Sequence, residues 1–151
     1  MDSIDKKILA ILSKDGRLSV TALADQVGLS KTPCQARLKR LQNEGFILGF
    51  RAELNLKKLG LEHVAFTEVK LTSTTKSALE AFNSAVRAIP EVEQCHMIAS
   101  DYDYLLKVRT TDIFAYRQVL GEQISALPYV SSTSTFVSMQ SVKETHILDH
   151  S

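Results

Sequence analysis

The chain has 151 residues, of which 44% are apolar and 23% are charged, as is ordinary for a soluble globular protein of one or two small domains. No apolar run approaches the ~18 residues needed to span a bilayer, and the N-terminus lacks the apolar core of a signal peptide, so we predict a cytoplasmic protein with no membrane partner. The two cysteines, Cys34 and Cys95, lack the paired spacing of a zinc or redox motif, and we expect neither a metal ion nor another cofactor.

The net charge of +1 is the sum of a basic part before Gly60 and an acidic part after it. Residues 1–60 contain 11 Lys and Arg against 6 Asp and Glu, whereas residues 61–151 contain 7 against 11. This asymmetry is typical of a basic module for an anionic partner joined to a module with another task.

Two amphipathic helices are predicted at the start of the chain. The first begins after an N-cap at Asp2 or Ser3 and ends at Asp15-Gly16. Its apolar residues at helical spacing are Ile4, Ile8, Leu9, Ile11 and Leu12. The second begins after Ser19 and ends at Gly28, where a left-handed residue can close the helix.

The stretch SKTPCQARLKRL predicts a third helix, with Ser30 as its N-cap and Pro33 in the first turn, where a backbone N–H would have no intrahelical acceptor. A helix, a glycine-containing turn and a second helix form the helix-turn-helix pattern, whose second helix enters the major groove of double-stranded DNA. We expect the residues nearest the bases to be Thr32, Gln35, Ala36 and Lys39, and those on phosphates to be Lys31, Arg37 and Arg40. The alternative is an ordinary solvated helical face.

The stretch EGFILGFRAELN follows the third helix and predicts a short β-hairpin around Gly49. Such a hairpin would be a wing beside the DNA groove, with Arg51 near the DNA backbone. The sequence thus predicts a winged helix-turn-helix DNA-binding domain over residues 1–49 and a linker strand over residues 50–60.

The second half repeats one pattern, in which a strand leads into an amphipathic helix and then into another strand. Each helix ends at an apolar-Pro-x-Val step, at Ile89-Pro90-Glu91-Val92 and Leu127-Pro128-Tyr129-Val130. Two such units joined by a short hairpin form a ferredoxin-like βαββαβ sheet with both helices on one face. The predicted fold class is therefore α+β, with this domain over residues 61–151.

The other face of that sheet is predicted to carry apolar side chains without cover in a single chain. The expected residues are Val64, Phe66, Met97, Leu105 and Phe136 or Val137. Open apolar sheet faces favour association, so we expect a homodimer. A two-fold axis would also place two recognition helices on a roughly palindromic DNA site.

Two stretches, RLSVTALADQVGLSKTPCQARLKRLQNEGFI and CHMIASDYDYLLKVRTTDIFAYRQVLGE, resemble the Lrp/AsnC family, the feast/famine transcription regulators. The resemblance covers essentially the whole chain. It implies a regulator of amino-acid metabolism or transport, associated with the nucleoid, that binds DNA and a small amino-acid effector, such as leucine or proline. It also implies dimers that assemble into octamers or larger rings.

The family binds its effector between dimers, around the loop that joins strands two and three of the effector domain. The resemblance therefore implies an effector site at Ser100, Asp101, Tyr102 and Asp103, with Ser134 and Phe136 of the last strand. Backbone N–H groups can bind a carboxylate there, and an aspartate can accept hydrogen bonds from an ammonium group. The alternative for the aspartates is a turn in which they cap backbone groups. Ser100 stands where the family usually has glycine.

Two other functions fit parts of the sequence, an enzyme and a regulator without an effector. An enzyme could use His96 with the two aspartates for acid/base chemistry, but no nucleophile, phosphate loop or metal spacing accompanies them, and we predict that the protein is not an enzyme. A regulator that wraps DNA without any effector is the second alternative.

Overall fold

The computed structural model describes residues 1–148 and divides the chain into two compact units. Among these residues, the first unit consists of Met1–Glu53 together with 142–148, and the second is Leu54–Ser141. The domain boundary at residue 61 stays a prediction. The segment 142–148 packs with the first unit, where the Leu148 N–H donates to the Ser13 hydroxyl of the first helix at 3.0 Å.

The first unit contains three helices: α1 (Ser3–Lys14), α2 (Val20–Val27) and α3 (Lys31–Asn43). Asp2 is the N-cap of α1, and the Ser19 hydroxyl caps α2 by accepting from the Ala22 N–H at 3.1 Å. Gly28 ends α2 with a φ of 75°, which a residue with a Cβ adopts only with strain. These local signals set the turn that directs α3 away from α2.

Apolar side chains from all three helices meet in the core of the first unit. The fully enclosed members are Ile8, Leu23, Ala24, Val27, Cys34 and Leu41. Each helix thus buries one stripe and leaves its other face in solvent.

The predicted wing hairpin and linker strand are not formed, and the chain has no strand between Asn43 and His63. Tight hairpin turns need positive φ angles, and Gly49 does not have one. Residues 56–60 form a turn instead, in which the Asn55 side chain accepts from the Lys58 N–H at 3.0 Å. The segment that contains Arg51 is therefore irregular and exposed.

The second unit is a four-stranded antiparallel sheet with two helices, which confirms the predicted α+β fold class. Its strands are β1 (His63–Leu71), β2 (Val92–Met97), β3 (Tyr104–Thr110) and β4 (Val130–Val137), in the spatial order β2-β3-β1-β4. The helices are α4 (Lys76–Arg87) and α5 (Ile113–Val119), and α5 continues into one π-helical turn over Leu120–Ile124.

Alternation along the strands separates a helix-covered face from an open face. The covered face carries the core, including Ala65, Val69, Phe82, Leu106 and Tyr116. The open face carries Phe66, Leu105 and Phe136, as predicted, with the Phe136 side chain 55% exposed. The register places Met97 opposite Tyr104, on the helix-covered side and contrary to expectation, and of the alternatives Phe136 and Val137 it is Phe136 that lies on the open face.

Candidate functional site

The outer face of α3 is polar, basic and open to solvent. The exposed residues of its first three turns are Lys31, Thr32, Pro33, Gln35, Ala36 and Lys39. Within residues 1–148, neither Lys31 nor Lys39 forms a salt bridge, so both cations are available to an anionic partner. This exposed face runs along α3, with Lys31 at its start and Lys39 past its middle.

Arg37 and Arg40 are paired with acidic side chains, which the sequence did not predict. Arg37 Nη1 donates to Asp5 Oδ1 at 3.1 Å and to Asp2 Oδ2 at 2.7 Å, and Arg40 Nη2 donates to Asp5 Oδ2 at 2.6 Å. Both guanidinium groups thus lie against α1, on the flank of α3. Sequence reasoning placed them on phosphates because no local pattern reveals carboxylates more than thirty residues away.

The hydrogen bond from Arg40 is the main reason why the pKa of Asp5 falls from 3.8 to about 2, with further lowering from the Asp2 N–H and Arg37. Because the folded-state pKa lies below the unfolded one, Asp5 stabilises the fold above pH 4 and loses this contribution as pH falls toward 2. We expect the free energy of unfolding, measured with urea, to fall more steeply between pH 4 and pH 2 in the parent than in Asp5→Asn. Equal slopes would contradict this assignment.

A second polar site lies at one end of the open sheet face, beside the loop between β2 and β3. It is a depression of about 210 Å³ lined by Glu68, Lys70, Asp101, Tyr102, Ser132, Thr133 and Ser134. Glu68 pairs with Ser134 and Lys70 with Ser132 across the β1–β4 ladder, so these four side chains share one face. The loop then contributes Asp101 and Tyr102 from the side.

The depression collects both signs of charge. Within the described part of the chain, neither Glu68 nor Lys70 forms a salt bridge, and Lys70 is the single cation among the lining residues. Charged side chains left without partners at a depression can bind an ionic solute by charge-assisted hydrogen bonds. Two carboxylates and one ammonium group suit a zwitterion, whose ammonium and carboxylate groups need opposite partners.

The structure brings together three of the six residues predicted for the effector site, Asp101, Tyr102 and Ser134. Ser100 is exposed beside them, and its hydroxyl donates to Asp101 Oδ1 at 2.9 Å. Phe136 follows further along the open face of β4. Sequence reasoning missed Glu68 and Lys70, because alternation along β1 shows that they share a face but not that this face pairs with Ser132 and Ser134 of β4.

Asp103 is turned away from the depression and ties its loop to β1. Its Oδ2 accepts from the Leu71 N–H at 2.7 Å, and its own N–H donates to the Val69 carbonyl at 2.9 Å. This is the alternative in which an aspartate caps backbone groups. The expectation that Asp103 holds an ammonium group stays a prediction, with Oδ2 already occupied.

Removing the Asp103 carboxylate should therefore destabilise the second unit. Asp103→Ala leaves the N–H of the buried Leu71 without its acceptor, and an unsatisfied buried donor costs about 1–3 kcal/mol. The measurement is urea unfolding of the full chain, with Asp103→Asn as the control that keeps an acceptor oxygen. Equal stability of all three proteins would show that this hydrogen bond contributes nothing.

The groups considered for acid/base chemistry are not assembled. His96 Nε2 lies 3.2 Å from Gln94 Oε1, on the exposed side of β2. Burial raises the pKa of the Cys95 thiol to about 11, so it is protonated at neutral pH. Among residues 1–148, no three His, Cys, Asp or Glu side chains are grouped to hold a metal ion, and no helix has the length and apolarity to cross a membrane.

Comparison with known proteins gives matches along most of the chain. Residues 1–47 match a winged helix-turn-helix DNA-binding model, and residues 64–148 match the Lrp/AsnC ligand binding domain. The chain is 68% identical over 147 residues to the proline dehydrogenase transcriptional activator of Rhizobium radiobacter, covering 97% of this chain and 94% of that protein. It is 45% identical over 148 residues to the leucine-responsive regulatory protein of Klebsiella pneumoniae, covering 98% and 90%.

A solved structure is similar over the full length. It is a transcriptional regulator of Neisseria meningitidis in complex with L-methionine, with a TM-score of 0.91 and 32% identity, covering 99% of this chain and 96% of that one.

Proposed function

Because this chain belongs to the Lrp/AsnC family of transcription regulators, which are not enzymes, we propose that it reads DNA through the outer face of α3 and responds to proline bound in the β1–β4 depression. The observation that carries the effector proposal is the set of charged side chains Glu68, Lys70 and Asp101 around one depression, none of which forms a salt bridge within residues 1–148. The protein would bind the chromosomal DNA of the nucleoid, in the cytoplasm.

Proline is favoured among amino acids by two independent arguments. Relatives that are 68% and 52% identical over nearly their whole lengths are named proline dehydrogenase transcriptional activators. The secondary ammonium group of proline carries two N–H donors, which match the two carboxylates of Glu68 and Asp101. Lys70 then takes the proline carboxylate. The target we propose is the control region of a proline dehydrogenase gene.

The DNA interface places Thr32, Gln35, Ala36 and Lys39 toward the bases and Lys31 toward a phosphate. Arg51, exposed in the irregular segment after α3, is a further phosphate contact. Arg37 and Arg40 are left out of this interface, since α1 holds both guanidinium groups. The stripe that remains carries polar and small side chains suited to base edges.

Two substitutions test the DNA interface. Lys31→Ala should reduce the slope of log affinity against log salt by about 0.9, the change expected when one phosphate contact is lost. Gln35→Ala should change which bases are preferred by about 1–3 kcal/mol at one position. Fluorescence anisotropy with a set of labelled duplexes measures both. Parent-like slopes and preferences in both folded variants would rule out this face of α3.

Assembly is proposed through the open sheet face. Phe66, Leu105 and Phe136 form an apolar surface there. A second copy, related by a two-fold axis and packed on this surface, would bury all three side chains. Such dimers would assemble further into octamers or larger rings. Sedimentation velocity of the full chain tests this, because Phe136→Asp should shift the protein toward monomer whereas the exposed Phe114→Asp on α5 should not.

A thermal-shift panel of amino acids tests the effector proposal. A ligand at about 100 times its dissociation constant stabilises the folded state by ~2.7 kcal/mol, so proline should raise the unfolding temperature more than leucine or methionine. No shift with any amino acid, together with unchanged DNA affinity, would favour the alternative of an effector-independent regulator that wraps DNA.

A further inference from the structure

The Asp5 carboxylate is almost completely enclosed although it carries a charge. Its residue is 1% exposed, and it lies on α1, at the junction with α3. Both of its oxygens are occupied: Oδ1 accepts from Arg37 and Oδ2 from Arg40 and from the Asp2 N–H. A buried charge persists only when it is paired and hydrogen-bonded, as this one is.

We propose that Asp5 is a specificity-determining positioning residue, which withholds the guanidinium groups of Arg37 and Arg40 from DNA phosphates and fixes the rotation of α3 about its axis. This rests on the proposed interface along α3. Asp5 itself lies behind the helix and does not touch DNA. It acts through the two arginines that it holds.

Charge balance on α3 gives the first argument. The helix carries four basic residues, and two of them have acidic partners: Arg37 pairs with Asp2 and Asp5, and Arg40 pairs with Asp5 at 2.6 Å and more weakly with Glu44 at 3.8 Å. Lys31 and Lys39 are then the free cations of the helix among the described residues. Phosphate contacts supply essentially all of the affinity for non-specific DNA, whereas base contacts fix the register of the specific complex, so an arginine released toward the backbone would strengthen binding to non-specific duplexes most. Holding them back increases the ratio of specific to non-specific affinity.

Geometry gives the second argument. Arg37 and Arg40 are three residues apart and so lie along one edge of α3, and Asp5 binds both. Two donors on successive turns that share one carboxylate resist rotation of the helix, whereas a single contact would allow it. The exposed face of α3 that carries Gln35 and Lys39 is thereby kept toward solvent, where DNA would bind.

Asp2 provides a matched control on the same helix. Of the two arginines it contacts Arg37 and not Arg40, its side chain is 53% exposed, and it caps α1 by accepting from the Asp5 N–H. Asparagine caps helices as well as aspartate does, so Asp2→Asn removes one charge and leaves the cap. Asp5→Asn likewise keeps the shape and removes the charge, and Asp5→Glu keeps the charge.

The experiment measures binding of the full chain to a selected duplex and to a scrambled duplex between 50 and 200 mM salt. In Asp5→Asn we expect roughly tenfold tighter binding to the scrambled duplex, a correspondingly lower specificity ratio, and a salt slope steeper by about 1–2 because up to two arginines reach phosphates. Asp5→Glu should recover most of the parent ratio, and Asp2→Asn should remain close to the parent. A structural role alone would not steepen the slope.

The result that overturns the proposal is a folded Asp5→Asn protein, judged by its helical circular dichroism, with the parent's slope and ratio. If Asp5→Asn does not fold, Arg40→Gln decides: a slope equal to the parent's supports the proposal, and a slope lower by about 0.9 shows that Arg40 already contacts DNA and refutes it. Lys31→Ala separates the two claims, because a parent-like slope in that variant rejects the α3 interface itself and not the role of Asp5.

Discussion

Lys70→Ala is expected to abolish the response of DNA binding to proline while leaving DNA binding without proline unchanged. Lys70 is the single cation lining the described depression, so its removal leaves Glu68 and Asp101 facing the carboxylate of the ligand. Couplings between an effector and a second ligand are typically about 1–3 kcal/mol, and the corresponding 5- to 150-fold change in DNA affinity should disappear.

The controls for this experiment use the same side-chain type. Lys70→Arg keeps the charge and should keep part of the response. Lys76→Ala removes an equally long cation from α4, where its side chain is 91% exposed and pairs weakly with Glu80, and should behave as the parent does. Fluorescence anisotropy with and without proline gives the readout. A parent-like response in Lys70→Ala would remove this residue from the site.

Phe82→Ala should cause the largest loss of stability, about 3–5 kcal/mol. The Phe82 ring is fully buried beneath the sheet and lies against the Tyr104 ring, with 4.2 Å between the centroids. Truncation of Phe82 leaves a cavity next to Tyr104, the first residue of β3, which directly follows the loop of residues 100–103. Tyr104 also donates to Asn83 at 2.6 Å, so the start of β3 is fastened to α4 by both contacts.

Urea unfolding of the full chain, followed by circular dichroism, measures this loss. Phe114→Ala is the control, since Phe114 is 72% exposed and its truncation should change stability little. A loss below about 1 kcal/mol for Phe82→Ala would mean that the site collapses around the smaller side chain and that Phe82 does not hold the loop.

The sequence was sufficient where structure depends on local chemistry. Ser19 and Gly28 mark the ends of α2 by hydrogen bonding and by left-handed backbone, and both signals are visible in a few residues. The repeated strand–helix–strand order likewise predicted the α+β sheet, because period-two and period-3.6 patterns follow from backbone geometry.

The sequence was insufficient where structure depends on distant partners. Asp5 finds Arg37 and Arg40 only after three helices have packed, and Asp103 finds the Leu71 N–H only after β1 pairs with β3. The lining residues Glu68 and Lys70 likewise depend on the register between β1 and β4. The wing hairpin was predicted from apolar alternation around Gly49, and neither signal determines the φ angle that this glycine adopts.

The central claim is that one chain couples an amino acid in the β1–β4 depression to DNA held by α3. Its most direct test is a titration of the parent protein against a labelled duplex from a proline dehydrogenase control region, with and without saturating proline. The account predicts that proline shifts the binding midpoint by 5- to 150-fold, corresponding to about 1–3 kcal/mol of coupling. Superimposable curves would contradict it.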